Sequence, residues 1–272
     1  MNKLSFQFLK EASGTIYKKP VSEKVLPLNL SDVELKIGTS YTISQTIYYS
    51  ADYLFDDGTV GTLVPNLKVG RTPKALVVDR NRKVCMSLTE IRDKKWARFV
   101  GWKCISSENQ DDNGLKNTID KYDGYAQTWD FKTTDTSAGV LNWKRQKSNR
   151  EEFEAFWAAG QLTPVGSQKW YVPGAGEWDT ALKYLGVADP KQGFVYGGTA
   201  VQPWAGSLGY RLQEILFYQA DGVPLTEWYW AANDWKTDGQ KKGVTVTAGS
   251  AGALFGAATK TQPTKVRPFI NY

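Results

Sequence analysis

Trp228-Tyr229-Trp230-Ala231-Ala232-Asn233-Asp234-Trp235 sets four aromatic rings in eight residues, shortly before the closing stretch Lys265-Val266-Arg267-Pro268-Phe269. Strand-forming residues in succession place their side chains on alternate faces. Trp228 and Trp230 then share one face and Tyr229 takes the other. A strand beginning near Trp230, with Trp228 in the loop before it, puts Trp230 in the core and leaves Trp228 outside.

Upstream of this run the punctuation alternates between strand and helix signals. Lys74–Asp79 and Val84–Leu88 read as a hairpin across Arg80–Lys83, and Asp56-Asp57-Gly58 as a tight turn after Tyr53-Leu54-Phe55. Thr46–Tyr49 reads as a further strand. Three helices are expected next. The first follows the capping-box pattern Ser148-Asn149-Arg150-Glu151 and carries Phe153, Phe156 and Trp157. The second bears Trp178, Ala181, Leu182 and Leu185 at i, i+3, i+4, i+7 and stops at Gly186. The third runs from Ser207 through Leu208, Leu212, Ile215 and Leu216 to Asp221-Gly222. Gly243–Ala248 and Val266–Ile270 return to strand, and the Gly/Ala/Ser-rich 248–258 reads as a flexible loop or a closely packed turn. Strands, then helices, then strands make an α+β domain. Residues 1–45, with Pro20 and Pro27 between short apolar runs, read as an N-terminal arm or assembly segment ahead of a domain over 46–272.

The chain has 272 residues and no histidine. That removes imidazole acid–base chemistry, the histidine-dependent triads and most zinc and iron sites. No spacing singles out a carboxylate pair, so no catalytic residue, metal or cofactor is assigned. The formal charge is +6, with lysine and arginine scattered, as at Arg92 to Lys95. No nucleic-acid-binding pattern accompanies them, and a solvated basic surface is the expectation. Cys85 and Cys104 lie in strand-like apolar surroundings, where spacing does not decide whether they pair. The first eight residues contain neither the apolar core nor the cleavage site of a classical signal peptide, and no stretch could span a bilayer. A cell-surface or virion location is favoured.

Tyr53-Leu54-Phe55-Asp56-Asp57-Gly58-Thr59, Trp170 to Trp178, Trp228 to Asp234 and Lys265 to Phe269 occur in this order. Together they resemble the motifs of C-type-lectin-like domains of Bacteroidetes surface and phage proteins. These are related in fold to formylglycine-generating enzymes and to the variable proteins of diversity-generating retroelements. The resemblance covers about residues 46–272 and implies a C-type-lectin-like fold with an N-terminal extension, used for display. It implies a non-enzymatic role, since the reactive cysteines of the enzyme branch lie near the C-terminus whereas Cys85 and Cys104 do not. Ala231-Ala232 departs from the usual serine pair, so whatever loop those serines hold is held differently here. Asn233-Asp234 beside a Trp loosely matches a calcium element of animal lectins, but the remaining oxygens cannot be assembled.

The expected ligand-binding set is Trp204, Tyr210, Trp228, Tyr229, Asn233 and Trp235, rigid aromatic anchors with polar groups between them. Trp170, Trp178, Trp230, Val266 and Phe269 are expected in the core, and Glu177 with Arg267 as a buried or half-buried ion pair. The partner would be a protein or glycan ligand, with self-association or assembly through residues 1–45. A structural subunit of a phage tail or fimbria is the alternative.

Overall fold

The computed structural model describes residues 9–12, 15–20, 49–98, 120–129, 148, 151–190, 201–205, 208–237 and 240–272. The chain divides into two units, Met1–Thr46 and Ile47–Tyr272. In the first, β1 (Leu9–Ala12) pairs antiparallel with β2 (Thr15–Pro20). The expected strand at Thr46–Tyr49, Cys104 and Trp235's side chain fall wholly or largely outside the described residues.

The second unit is mixed α and β, mostly β, with two five-stranded sheets. One sheet joins β3 (Asp52–Phe55), β4 (Val60–Thr62), β5 (Pro73–Asp79), β6 (Val84–Ser87) and β12 (Phe269–Asn271), in the order β12-β6-β5-β3-β4 and antiparallel throughout. The expected hairpins are both present. Gly58 supplies the left-handed φ of 84° at the first turn, where Asp57 accepts hydrogen bonds from the Thr59 amide and hydroxyl.

The other sheet joins β7 (Ile91–Lys94), β8 (Trp228–Thr237), β9 (Gln240–Gly249), β10 (Gly252–Thr259) and β11 (Thr264–Val266), in the order β10-β9-β8-β11-β7. Only the β11–β8 pair is parallel. Residues 248–258 are therefore mostly hairpin strand rather than loop. The close-packing reading survives at Gly252, where φ is 139° and a Cβ would stand 2.1 Å from the Gln202 carbonyl oxygen.

Five helices occur among the described residues: α1 (Leu63–Lys68), α2 (Gly124–Trp129), α3 (Glu154–Gly160), α4 (Ala175–Tyr184) and α5 (Arg211–Tyr218). The main core lies between the two sheets. Trp178, Ala181, Leu182 and Leu185 of the α4 segment and Leu216 and Phe217 of α5 meet Tyr53, Leu76, Met86, Tyr229 and Val246 there. Its spacing places α4 as expected, ending before Gly186 at φ 102°.

The first expected helix starts later than its capping pattern. Ser148 lies buried beside Gly160, at the far end of α3. The start at Glu154 is set by tertiary packing. Phe153 and Phe156 stack edge-on against Trp96 at 5.9 and 5.0 Å, and the Ala155 amide donates to the Lys95 carbonyl. The third helix is likewise shorter than expected, because Leu208–Tyr210 form a turn with Gly209 at φ 51°.

Glu177 and Arg267 do not pair with each other. Glu177 turns back on its own helix start, accepting from the Gly174 amide at 2.5 Å and the Tyr171 hydroxyl at 3.2 Å. Gly174 has no side chain to return the bond, so one arm of a capping box is present. Arg267 is wholly buried. It donates to the Ser87 and Pro224 carbonyls, the Tyr229 hydroxyl and Glu90.

Candidate functional site

Trp228 belongs to β8 itself and not to the preceding loop. It therefore shares a sheet face with Trp230, as alternation demands. Partial coverage of that face separates the two indoles. Over Trp230, α3 and Trp96 close a second core with Phe153, Phe156, Val172 and Val266. Trp230 is completely buried and donates through Nε1 to the Lys94 carbonyl at 2.7 Å. Trp228, two residues earlier, is 42% exposed. Its ring lies over Gly256 of β10, where a Cβ would come within 3.0 Å of Cζ3. Thr245 on the intervening β9 stands beside the same point, 3.4 Å from that Cβ.

The uncovered half of the face forms a cleft of about 500 Å³, with Trp228, Glu227, Arg92, Asp93, Thr245 and Lys265 among its walls. Its far wall is a β-bulge. Thr264 pairs with Lys94 and Val266 with Ile91, so Arg92 and Asp93 together oppose the single residue Lys265. Asp93 has φ 53°, a left-handed conformation that a non-glycine residue seldom adopts.

Beneath the bulge, Glu90 gathers the positive charges. Its carboxylate meets Lys265 Nζ at 2.8 Å, Arg92 Nε at 3.2 Å and Arg267 at 3.4 Å, and accepts from the Tyr229 hydroxyl at 2.8 Å. Burial alone would raise the Glu90 carboxyl. The bonds from Lys265 and Tyr229 and the charges of Arg267 and Lys265 outweigh it and hold the group below the usual range. Lys265 also reaches Glu227 at 3.1 Å. Both cations of the cleft are thus tied to carboxylates. Asp93 makes no hydrogen bond or ion pair among the described residues.

Of the six residues expected to contact a ligand, Trp228 alone is shown both exposed and lining this cleft. Tyr229 is a correction: it faces the main core, wholly buried, 5.7 Å from the Trp178 ring. Burial raises its hydroxyl pKa. Asn233 is another correction. Between Trp230 and Asp234 the β8–β9 register shifts, and this part of β8 turns to the start of α4 instead. There Asn233 is buried, accepting from the Ala175 amide at 2.7 Å and donating to Asp123 at 2.9 Å.

Asp234 likewise turns inward, to the buried Lys260 at 2.9 Å, so neither residue presents oxygen to a surface cation. The Ala231-Ala232 segment is held through its backbone. The Ala232 amide donates to the Pro173 carbonyl, and the Ala231 carbonyl accepts from Trp96. Trp204 and Tyr210 are half-buried, 5.5 Å apart, with their polar atoms bonded to the Gly249 and Leu225 carbonyls. They do not line the cleft.

Arg92, Asp93, Glu227 and Lys265 were not singled out as site residues. The charge run Arg92 to Lys95 was the available signal, and its reading as solvated surface hid the bulge. A larger hollow of about 620 Å³ lies beside Leu162 and Trp170, but the Trp170 ring is nearly buried and its N–H is committed to Thr163. Among the described residues no group of three or more Cys, Asp or Glu is placed to hold a metal ion. No helix of the described residues is long and apolar enough to cross a membrane.

No family model matches the chain, and no curated protein matches it in sequence. Among solved structures it is similar to a fimbrial protein from Bacteroides ovatus ATCC 8483, at 14% identity and a TM-score of 0.39. That likeness covers 82% of this chain, which spans about half, 49%, of the fimbrial protein.

Proposed function

We propose that the protein is a non-enzymatic recognition protein whose C-type-lectin-like domain presents the Trp228 cleft to a ligand. The supporting observation is the split within one sheet face, which buries Trp230 and leaves Trp228 open beside polar groups. An indole whose edge is set against a glycine, with hydroxyl, carboxylate and cationic groups at its rim, is suited to a ligand with both an apolar face and polar edges. Replacing Trp228 with Ala should abolish capture in glycan and peptide arrays while leaving the melting temperature within a few degrees of wild type. Unchanged capture would move the site elsewhere. A retroelement-diversified version of this reading further requires a near-repeat of the segment encoding this region beside a reverse transcriptase gene.

A second reading is a structural subunit of a fimbria or phage tail. It draws on the separate N-terminal unit, whose β1–β2 hairpin could dock on a neighbouring subunit. Sizing the full chain against a form lacking residues 1–45 tests it: a monomer in both cases counts against assembly through that unit.

A further inference from the structure

We infer that Asp93 is the specificity-determining residue of the Trp228 cleft, and that its ligand is a neutral sugar whose adjacent hydroxyls donate to the Asp93 carboxylate. This rests on the reading of the cleft as a recognition site.

Three observations carry it. The first is charge. Arg92 and Lys265 line the cleft, but Glu90 lies beneath both and Glu227 reaches Lys265 as well. The lining itself carries two carboxylates, Asp93 and Glu227, against the two cations, so the positive charge is balanced at this place, although the whole chain carries +6. With these charges balanced, an anionic ligand gains no net attraction here, so an acidic sugar or a phosphate is disfavoured. The second is availability. Among the charged groups lining the cleft, Asp93 has no hydrogen bond or ion pair among the described residues, so its two oxygens are open acceptors.

The third is backbone geometry. Asp93 holds a left-handed φ of 53° at the position where two residues oppose one. Glycine would adopt this conformation at lower cost, and bulges are places where a strand re-aims a side chain. The bulge brings the carboxylate to the wall of the cleft that Trp228 also lines. A pyranose laid on the indole exposes its edge hydroxyls to such a carboxylate. Thr264 and Gln262 of the lining supply further neutral donors and acceptors.

The test is an array of neutral hexose-terminated glycans and their sialylated and sulfated counterparts, probed with the full chain and with Asp93→Asn, Asp93→Gly and Trp228→Ala. Wild type should be retained on neutral glycans and not preferentially on the acidic ones. Asp93→Asn tolerates the same φ and removes the charge; it should weaken retention by about tenfold or more. Asp93→Gly should lose retention while its melting temperature holds or rises, a combination that a structural role cannot produce. Retention of acidic glycans in preference to neutral ones, or unchanged retention by both Asp93 variants, overturns the inference. So does absence of any neutral-glycan retention. If a peptide or protein is instead captured in a Trp228-dependent way, the sugar assignment falls and the recognition reading stands. If Trp228→Ala changes nothing at all, both fall.

Discussion

Glu177 offers a direct measurement of how the start of α4 is held. The residue is 6% exposed. Its carboxyl is pushed from 4.5 up to about 7, chiefly by burial, with the charge of Asp123 adding to it. The bonds from the Gly174 amide and the Tyr171 hydroxyl oppose the rise without cancelling it. Between these two values the folded state holds the proton more tightly than the unfolded chain. Stability from this group is therefore fully present below pH 4.5 and declines as pH rises toward 7. Integrated over that window, the loss is about 3 kcal/mol. Glu177→Gln keeps an acceptor for Gly174 and removes the titration. Urea unfolding of both proteins from pH 4.5 to 8 should show the stability difference, wild type minus variant, falling by about 3 kcal/mol. Taking the difference removes the opposing contribution of Glu90, whose pKa is depressed. A difference that stays flat, or that grows with pH, would refute the account of a carboxyl destabilised by burial.

Two further outcomes follow from the second sheet. Lys260→Met removes the buried cation 2.9 Å from Asp234 and should cost about 3–5 kcal/mol in chemical unfolding; pairing it with Asp234→Leu should recover most of that loss. Two glycines of this sheet should respond differently to valine. A Cβ at Gly243 would stand 2.8 Å from Trp230 and 3.0 Å from Trp96, both buried, so Gly243→Val should cost about 1–3 kcal/mol. At Gly256 the ring in the way is the exposed Trp228, which can swing outward. Gly256→Val should change stability by less than about 1 kcal/mol while weakening ligand capture. Equal losses of stability at the two sites would contradict the partial coverage of the face.

The α+β character, the β5–β6 hairpin, the Gly58 turn and helix α4 were legible because each is set by local chemistry: a left-handed turn, a 3.6-residue apolar period, a terminal glycine. The starts of α3 and α5 were not. Ser148–Glu151 satisfies a local capping rule, yet the contacts of Phe153 and Phe156 with Trp96 decide where the helix begins. Trp96 is distant in sequence, so no local window contains that information. Residues 248–258 misled for the converse reason. Glycine and alanine suggested a loop, but on β10 they are strand residues whose small size admits the Trp228 ring over Gly256.

The candidate site was legible at one residue, Trp228, and the reason extends to its neighbours. Alternation identifies which side chains share a sheet face, but not how far an overlying helix covers that face. Trp228 and Trp230 pose the same periodic pattern and end in opposite environments because the second core encloses Trp230 and not Trp228. Tyr229 and Asn233 were misplaced by the complementary ignorance. Each has a polar end that suits a surface, and each finds a partner far away in sequence, Glu90 for one and Asp123 for the other. The charge run at Arg92 to Lys95 hid the rest. A bulge is a mismatch between two strands, so Asp93 acquires its φ and its place in the cleft only when β7 is laid against β11. The cleft arises where a regular sheet is interrupted, by incomplete cover at Trp228 and by the extra residue at Asp93.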